Sequence, residues 1–232
     1  MSLMQRCIMR SRNRAQWFWR DARGVVIIEF AYTLPIFLLF GITGVELAHF
    51  AVANMRVSQI AMTVADNISR ARQTVPLEMP RLREVDINDN LLGAMIQGGD
   101  SLKVFDEGRI IVSSLQQDPA GRQMIAWQRC KGLFNAASLY GTEGTVEPNT
   151  GTDGFRGMGT GDSRVRAEPN TAIIFAEVAY RYKPLFSEWV LGSHVIRQEA
   201  AFFVRDDRNL TEVFNDAPAA SVSSCDKFDT TF

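Results

Sequence analysis

Histidine is nearly missing from this chain: 232 residues contain two, His49 and His194, far apart and without neighbours at metal-ligand spacing. Imidazole is the usual biological base near neutral pH and the commonest metal ligand, so histidine-built metal centres and triads are excluded. Cysteine is sparse as well. Cys7, Cys130 and Cys225 include no Cys-x-x-Cys pair, which removes zinc-ribbon and thioredoxin-like motifs. There is no Gly-x-Ser-x-Gly elbow, and Gly157-Met158-Gly159-Thr160-Gly161 lacks the preceding apolar strand and following helix of a phosphate loop. Asp86, Asn88 and Asn90 begin like an EF-hand, but Leu91 stands where that loop needs glycine and Gln97 where it needs glutamate. No catalytic set, metal site or cofactor site is legible.

The longest absence is of charge. The 16 residues from Phe30 to Val45 carry none, and as a helix they would span about 24 Å, close to a bilayer core once flanking apolar positions are added. Upstream, Arg6, Arg10, Arg12, Arg14, Arg20 and Arg23 face the single acid Asp21, with Trp17-Phe18-Trp19 among them. Arginine and indole before an apolar run form the positive-inside pattern of a span whose N-terminus stays cytoplasmic. Since those cations lie outside the folded part, they do not indicate a nucleic-acid partner. One acid breaks the pattern. Glu29 sits just inside the apolar segment, five residues after Gly24, where a carboxylate is costly and marks function.

Beyond the span the apolar period stays helical, through Phe50, Ala53, Val57, Ile60, Ala61, Val64 and Ile68, and no proline intervenes before Pro76. A single helix is therefore expected over residues 25–75, its transmembrane part about 25–47, with a kink at Pro35. A short second helix follows within 81–106, with Ile87, Leu91, Leu92, Met95 and Ile96 as its apolar face and Gly98-Gly99 as its end. The period then falls to two. Arg109–Leu115 and Gln123–Arg129 read as a hairpin closed by Asp118-Pro119-Ala120-Gly121 in a type I turn. Thr171–Lys183 reads as a central strand and Val195–Arg205 as a fourth, while Leu185–Leu191 reads as an amphipathic turn. Seven glycines between 141 and 163 indicate a long exposed loop, extended to about residue 170, and 207–232 is read as an irregular tail.

The fold class is thus α+β: a long N-terminal helix packed on a small antiparallel sheet of about four strands, behind a basic leader at 1–24 and with the folded domain at 76–232. Cys7 falls in the leader, so Cys130 and Cys225 are left as a disulfide pair if the domain reaches an oxidising compartment, or as two free thiols if it does not.

Three processing schemes fit the N-terminus. Ala51-Val52-Ala53 matches a signal-peptidase site, although the apolar run is too long for that class and the helical stripe continues through the cut. An uncleaved anchor carrying a sensor or adhesin domain, with the glycine-rich loop as its binding element, is the second. The third starts from Gly24-Val25-Val26-Ile27-Ile28-Glu29-Phe30-Ala31 followed by Leu34-Pro35 and Gly41-Ile42. This run resembles the type IV pilin-like proteins, and among them the TadE-like pseudopilins of tight-adherence (Tad/Flp) pilus systems, which also often place a second glutamate near the helix end, matched here by Glu46. Val25 departs from the aromatic first residue common in many type IV pilins.

The resemblance implies cleavage between Gly24 and Val25 by a prepilin peptidase and methylation of the new amine. It assigns assembly and processing roles to Glu29, Phe30 and Pro35. The implied partners are other pilin or pseudopilin subunits, an inner-membrane assembly platform and the lipid bilayer. The implied location is the bacterial inner membrane, single-pass, with the C-terminal domain periplasmic.

Overall fold

A computed structural model describes residues 22–74, 76–149, 154–186 and 192–232. Residues 1–21 of the expected leader, Cys7 among them, and most of the turn expected at Leu185–Leu191 lie outside the described residues. The architecture is α+β, and the chain divides into two units, Met1–Ala48 and His49–Phe232. Helix α1 (Ala22–Arg70) contributes to both and is helical through Pro35. It starts three residues before Val25.

In the second unit, α1 buries the expected stripe of Ala53, Val57, Ile60, Ala61, Val64 and Ile68. Its C-terminus is closed by a residue far away in sequence. Arg208 Nη1 donates to the carbonyl of Ala71 at 2.8 Å and to that of Ile68 at 3.3 Å, and Nη2 donates to Ser69 O. Carbonyls at a helix end lack the i+4 N–H donors of the helix interior, so a guanidinium supplies both donors and the charge that the helix dipole favours there.

A short strand β1 (Arg81–Arg83) leads into helix α2 (Glu84–Leu102). The Asp86 carboxylate accepts the Arg83 backbone N–H at 3.1 Å and grips its guanidinium, closing the helix start. The buried face is Ile87, Leu91, Ala94, Gly98 and Leu102. Leu92, Met95 and Ile96, expected on that face, are instead exposed, Ile96 by 71%. Gly98 also departs from its expected role. A Cβ there would lie 3.3 Å from Val104 and 3.7 Å from Ile60, so the glycine permits close packing, and the helix runs past a non-helical Gly99 to Leu102.

The sheet is antiparallel in the order β3 (Gln123–Lys131), β2 (Gly108–Gln117), β4 (Ile173–Tyr182), β5 (His194–Phe203). Asp118 makes the hairpin turn: its carbonyl accepts from Gly121 N–H and its Oδ1 from Ala120 and Arg122 N–H, all at 2.9 Å. One face carries Ile110, Val112, Ile174, Ala176, Val178 and Ile196 into the core shared with α1 and α2. The opposite face holds a second core of Leu115, Ile125, Met158, Ala167, Ile173 and Phe175.

That second core corrects the reading of the glycine-rich loop as simply exposed. Gly157, Met158 and Gly159 are buried, with Met158 at 0% exposure. Gly157 has φ 117°, and an added Cβ would fall 2.4 Å from Val165 O, so only glycine allows the chain to lie this close over Met158. A strand also forms inside the segment read as an irregular tail. β6 (Asn209–Phe214) pairs in parallel with β1.

Candidate functional site

Two parts of the molecule collect chemistry that folding does not by itself require. The first is the apolar half of α1. Val25, Val26, Ile27, Ile28 and Phe30 are 58–70% exposed, and none of the most apolar 18-residue window is buried. Uncovered aliphatic and aromatic surface of this extent is stable only when lipid or other protein removes it from water. By length and composition this helix can cross a membrane.

Glu29 lies exposed in that surface, and among the described residues it has no hydrogen-bond or ion-pair partner. Glu46, the second acid near the end of the run, is fully buried. Pro35 is exposed and stands within the helix, where it removes one backbone donor. The Gly24–Val25 junction sits in the first turns of the helix rather than before it. A first turn has four N–H groups without intrahelical acceptors.

The second part is the far face of the sheet. Glu177 on β4 stands directly opposite Glu199 on β5 and is 4% exposed. Ser138 Oγ donates to Glu177 Oε2 at 2.5 Å and Leu139 N–H to Oε1 at 2.9 Å, while Tyr140 OH donates to Glu199 Oε2 at 2.7 Å. Burial raises the Glu177 carboxyl above the ordinary range, and the neighbouring Glu199 charge adds to this. Tyr140 is also raised, first by burial and then by its bond to Glu199. This arrangement straps residues 138–140 to the sheet. Among the described residues no three metal-ligating side chains converge anywhere.

Sequence reasoning missed this pair because Glu177 and Glu199 are joined only by strand register. It missed the ion pair of Glu84 and Arg129, 2.5 Å apart and largely buried, because the start of α2 and the strand β3 meet only through tertiary packing. Cys130 and Cys225 are joined by a disulfide that crosses from β3 to the C-terminal segment. Around it, Arg109 donates to Cys225 O at 2.6 Å and lies 4.0 Å from the Phe228 ring, and Lys131 pairs with Asp229 at 2.7 Å. Burial lowers the Arg109 pKa, the counterweight being Asp229.

Comparison with known proteins adds no identification: no family model, no curated protein and no solved structure matches the chain.

Proposed function

We propose that this chain is a TadE-like minor pseudopilin, processed between Gly24 and Val25 by a prepilin peptidase and supporting assembly of a Tad/Flp-type adhesive pilus. The observation that carries the reading is Glu29: the only charge from Gly24 to Val45, exposed on an uncovered apolar helix and unpartnered among the described residues. A carboxylate in a low-dielectric bundle needs a cation. Cleavage after Gly24 creates one, because the amine of Val25 in a neighbouring subunit is then free to approach Glu29. An uncleaved anchor bearing a sensor or adhesin domain accounts for the arginines and the apolar run, but leaves the place of Glu29 without a reason.

The N-terminal sequence of the protein purified from native membranes tests this. A start at Val25 supports the pseudopilin, a start at Asn54 a secreted protein, and retention of the leader a plain anchor. Glu29→Ala should preserve membrane insertion while impairing fibre assembly, and replacing Gly24 by a bulky residue should block maturation. Normal processing of the Gly24 variant would overturn the assignment.

A further inference from the structure

Of the surfaces and clusters in the second unit, one cavity has charge and position that together specify a ligand. It measures about 460 Å³ and is walled by α1, the end of α2 and the end of β4. Arg56 on α1 donates to Ser101 Oγ at 2.5 Å, which holds its guanidinium at the rim. Lys103 enters from the turn after α2. Neither cation forms an ion pair among the described residues, whereas Lys183 is matched by Glu107 at 2.5 Å. Asp100 is the remaining acid of the lining, so the cavity keeps a net positive charge.

Lys103 has φ 46°, at a left-handed helix cap where glycine is the ordinary choice. A lysine in that place carries a cation to the rim at a backbone position that does not favour it.

Connectivity places this cavity without reference to how the two units are arranged. His49 lines it, and His49 stands four positions after Val45, the last residue of the uncharged run. A chain of four residues reaches about 14 Å at most. If α1 crosses a bilayer, His49 is therefore in or beside the headgroup layer. His49 Nδ1 lies 2.8 Å from Tyr182 OH, which brings the end of β4 to the same level. There the chain continues as Lys183-Pro184-Leu185-Phe186, with Leu185 57% and Phe186 52% exposed. A cation followed by exposed aliphatic and aromatic side chains is the composition of a membrane-surface contact.

We infer that this cavity binds the phosphate of a glycerophospholipid headgroup, with Arg56 and Lys103 as its cationic ligands and Leu185 and Phe186 resting in the adjoining acyl boundary. Arginine offers a planar fork to two phosphate oxygens and lysine a mobile point charge, a pairing suited to a phosphodiester. The inference rests on α1 lying in a bilayer and is independent of leader cleavage.

The test uses the full chain in maltoside micelles, titrated with dihexanoyl phosphatidylglycerol while the thermal unfolding midpoint is followed. The midpoint should rise with lipid. Each basic residue near an anionic surface is worth roughly fivefold in affinity, so Arg56→Gln/Lys103→Gln should need about thirtyfold more lipid for the same rise. Lys103→Gln, on an exposed turn, serves alone if the double variant is unstable, with about a fivefold effect. No rise with wild type, or the same titration for wild type and variant, overturns the site. Equal potency of inorganic phosphate reassigns it to a free anion and overturns the lipid. Alkaline extraction of native membranes separates the premise: release of the wild-type protein would sink the span itself, whatever the titration shows.

Discussion

Reducing the disulfide between Cys130 and Cys225 is the perturbation whose size follows most directly from the fold. The bridge spans 95 residues of sequence and encloses β4, β5 and β6. Closing a loop of roughly 100 residues removes enough freedom from the unfolded chain to contribute about 4–5 kcal/mol in the chain-entropy treatment. The folded state keeps other anchors for the same segment: Cys130 N–H donates to Ser223 O at 2.8 Å, and Ser223 Oγ to Asn88 Oδ1 at 2.8 Å. The reduced domain should therefore remain folded but unfold earlier. With a slope of roughly 2 kcal/mol per molar urea, the midpoint should fall by about 2 M. The assay is urea unfolding of the full chain in detergent, oxidised against reduced, with Cys225→Ser as the permanent open form. A reductant-dependent gel shift that disappears in Cys225→Ser reports whether the bond exists in the native protein. Equal urea midpoints for oxidised and reduced protein, in material showing that gel shift, would refute the loop-entropy argument.

Glu177 makes a pH prediction of definite sign. Its folded pKa is raised by burial, so its contribution to stability is fully present below the ordinary carboxylate range and is lost as pH rises through the folded value. Glu177→Gln keeps an acceptor for Leu139 N–H and removes the titration; with Glu199 and Arg197 unchanged, the variant should lose less stability than wild type from acid to mildly alkaline pH. Parallel urea midpoints across that range would contradict this. Gly132 tests the backbone: at φ 124°, an added Cβ would lie 2.3 Å from Gly108 O, so Gly132→Ala should destabilise by on the order of 1–3 kcal/mol. A midpoint equal to wild type would show that the β3 end relaxes freely.

What was legible in the sequence was whatever recurs at short range. The stripe from Ala53 to Ile68 repeats every three or four residues and occupies one helix face, as that period requires. Asp118 to Gly121 closes a hairpin between strands expected there, because turn geometry is set within four residues. The apolar faces of β4 and β5 follow from alternation in the same way. Misreadings arose where a local pattern had two uses. Gly98 looked like a helix end and serves as a packing contact; the glycines around Met158 looked like solvent-exposed loop and let that loop lie on a second core.

The sequence by itself determined an apolar helix with one acid, a basic flank before it and an α+β domain behind it, because each depends only on composition and period along one segment. Tertiary structure decided which distant groups meet. Arg208 closes α1, Glu177 faces Glu199, and Arg56 and Lys103 border one cavity, each through contacts whose partners lie tens of residues away or more. Such meetings depend on strand register and helix packing, and a shift of one residue in register would send Glu177 to the opposite face. No period within a single segment carries that information.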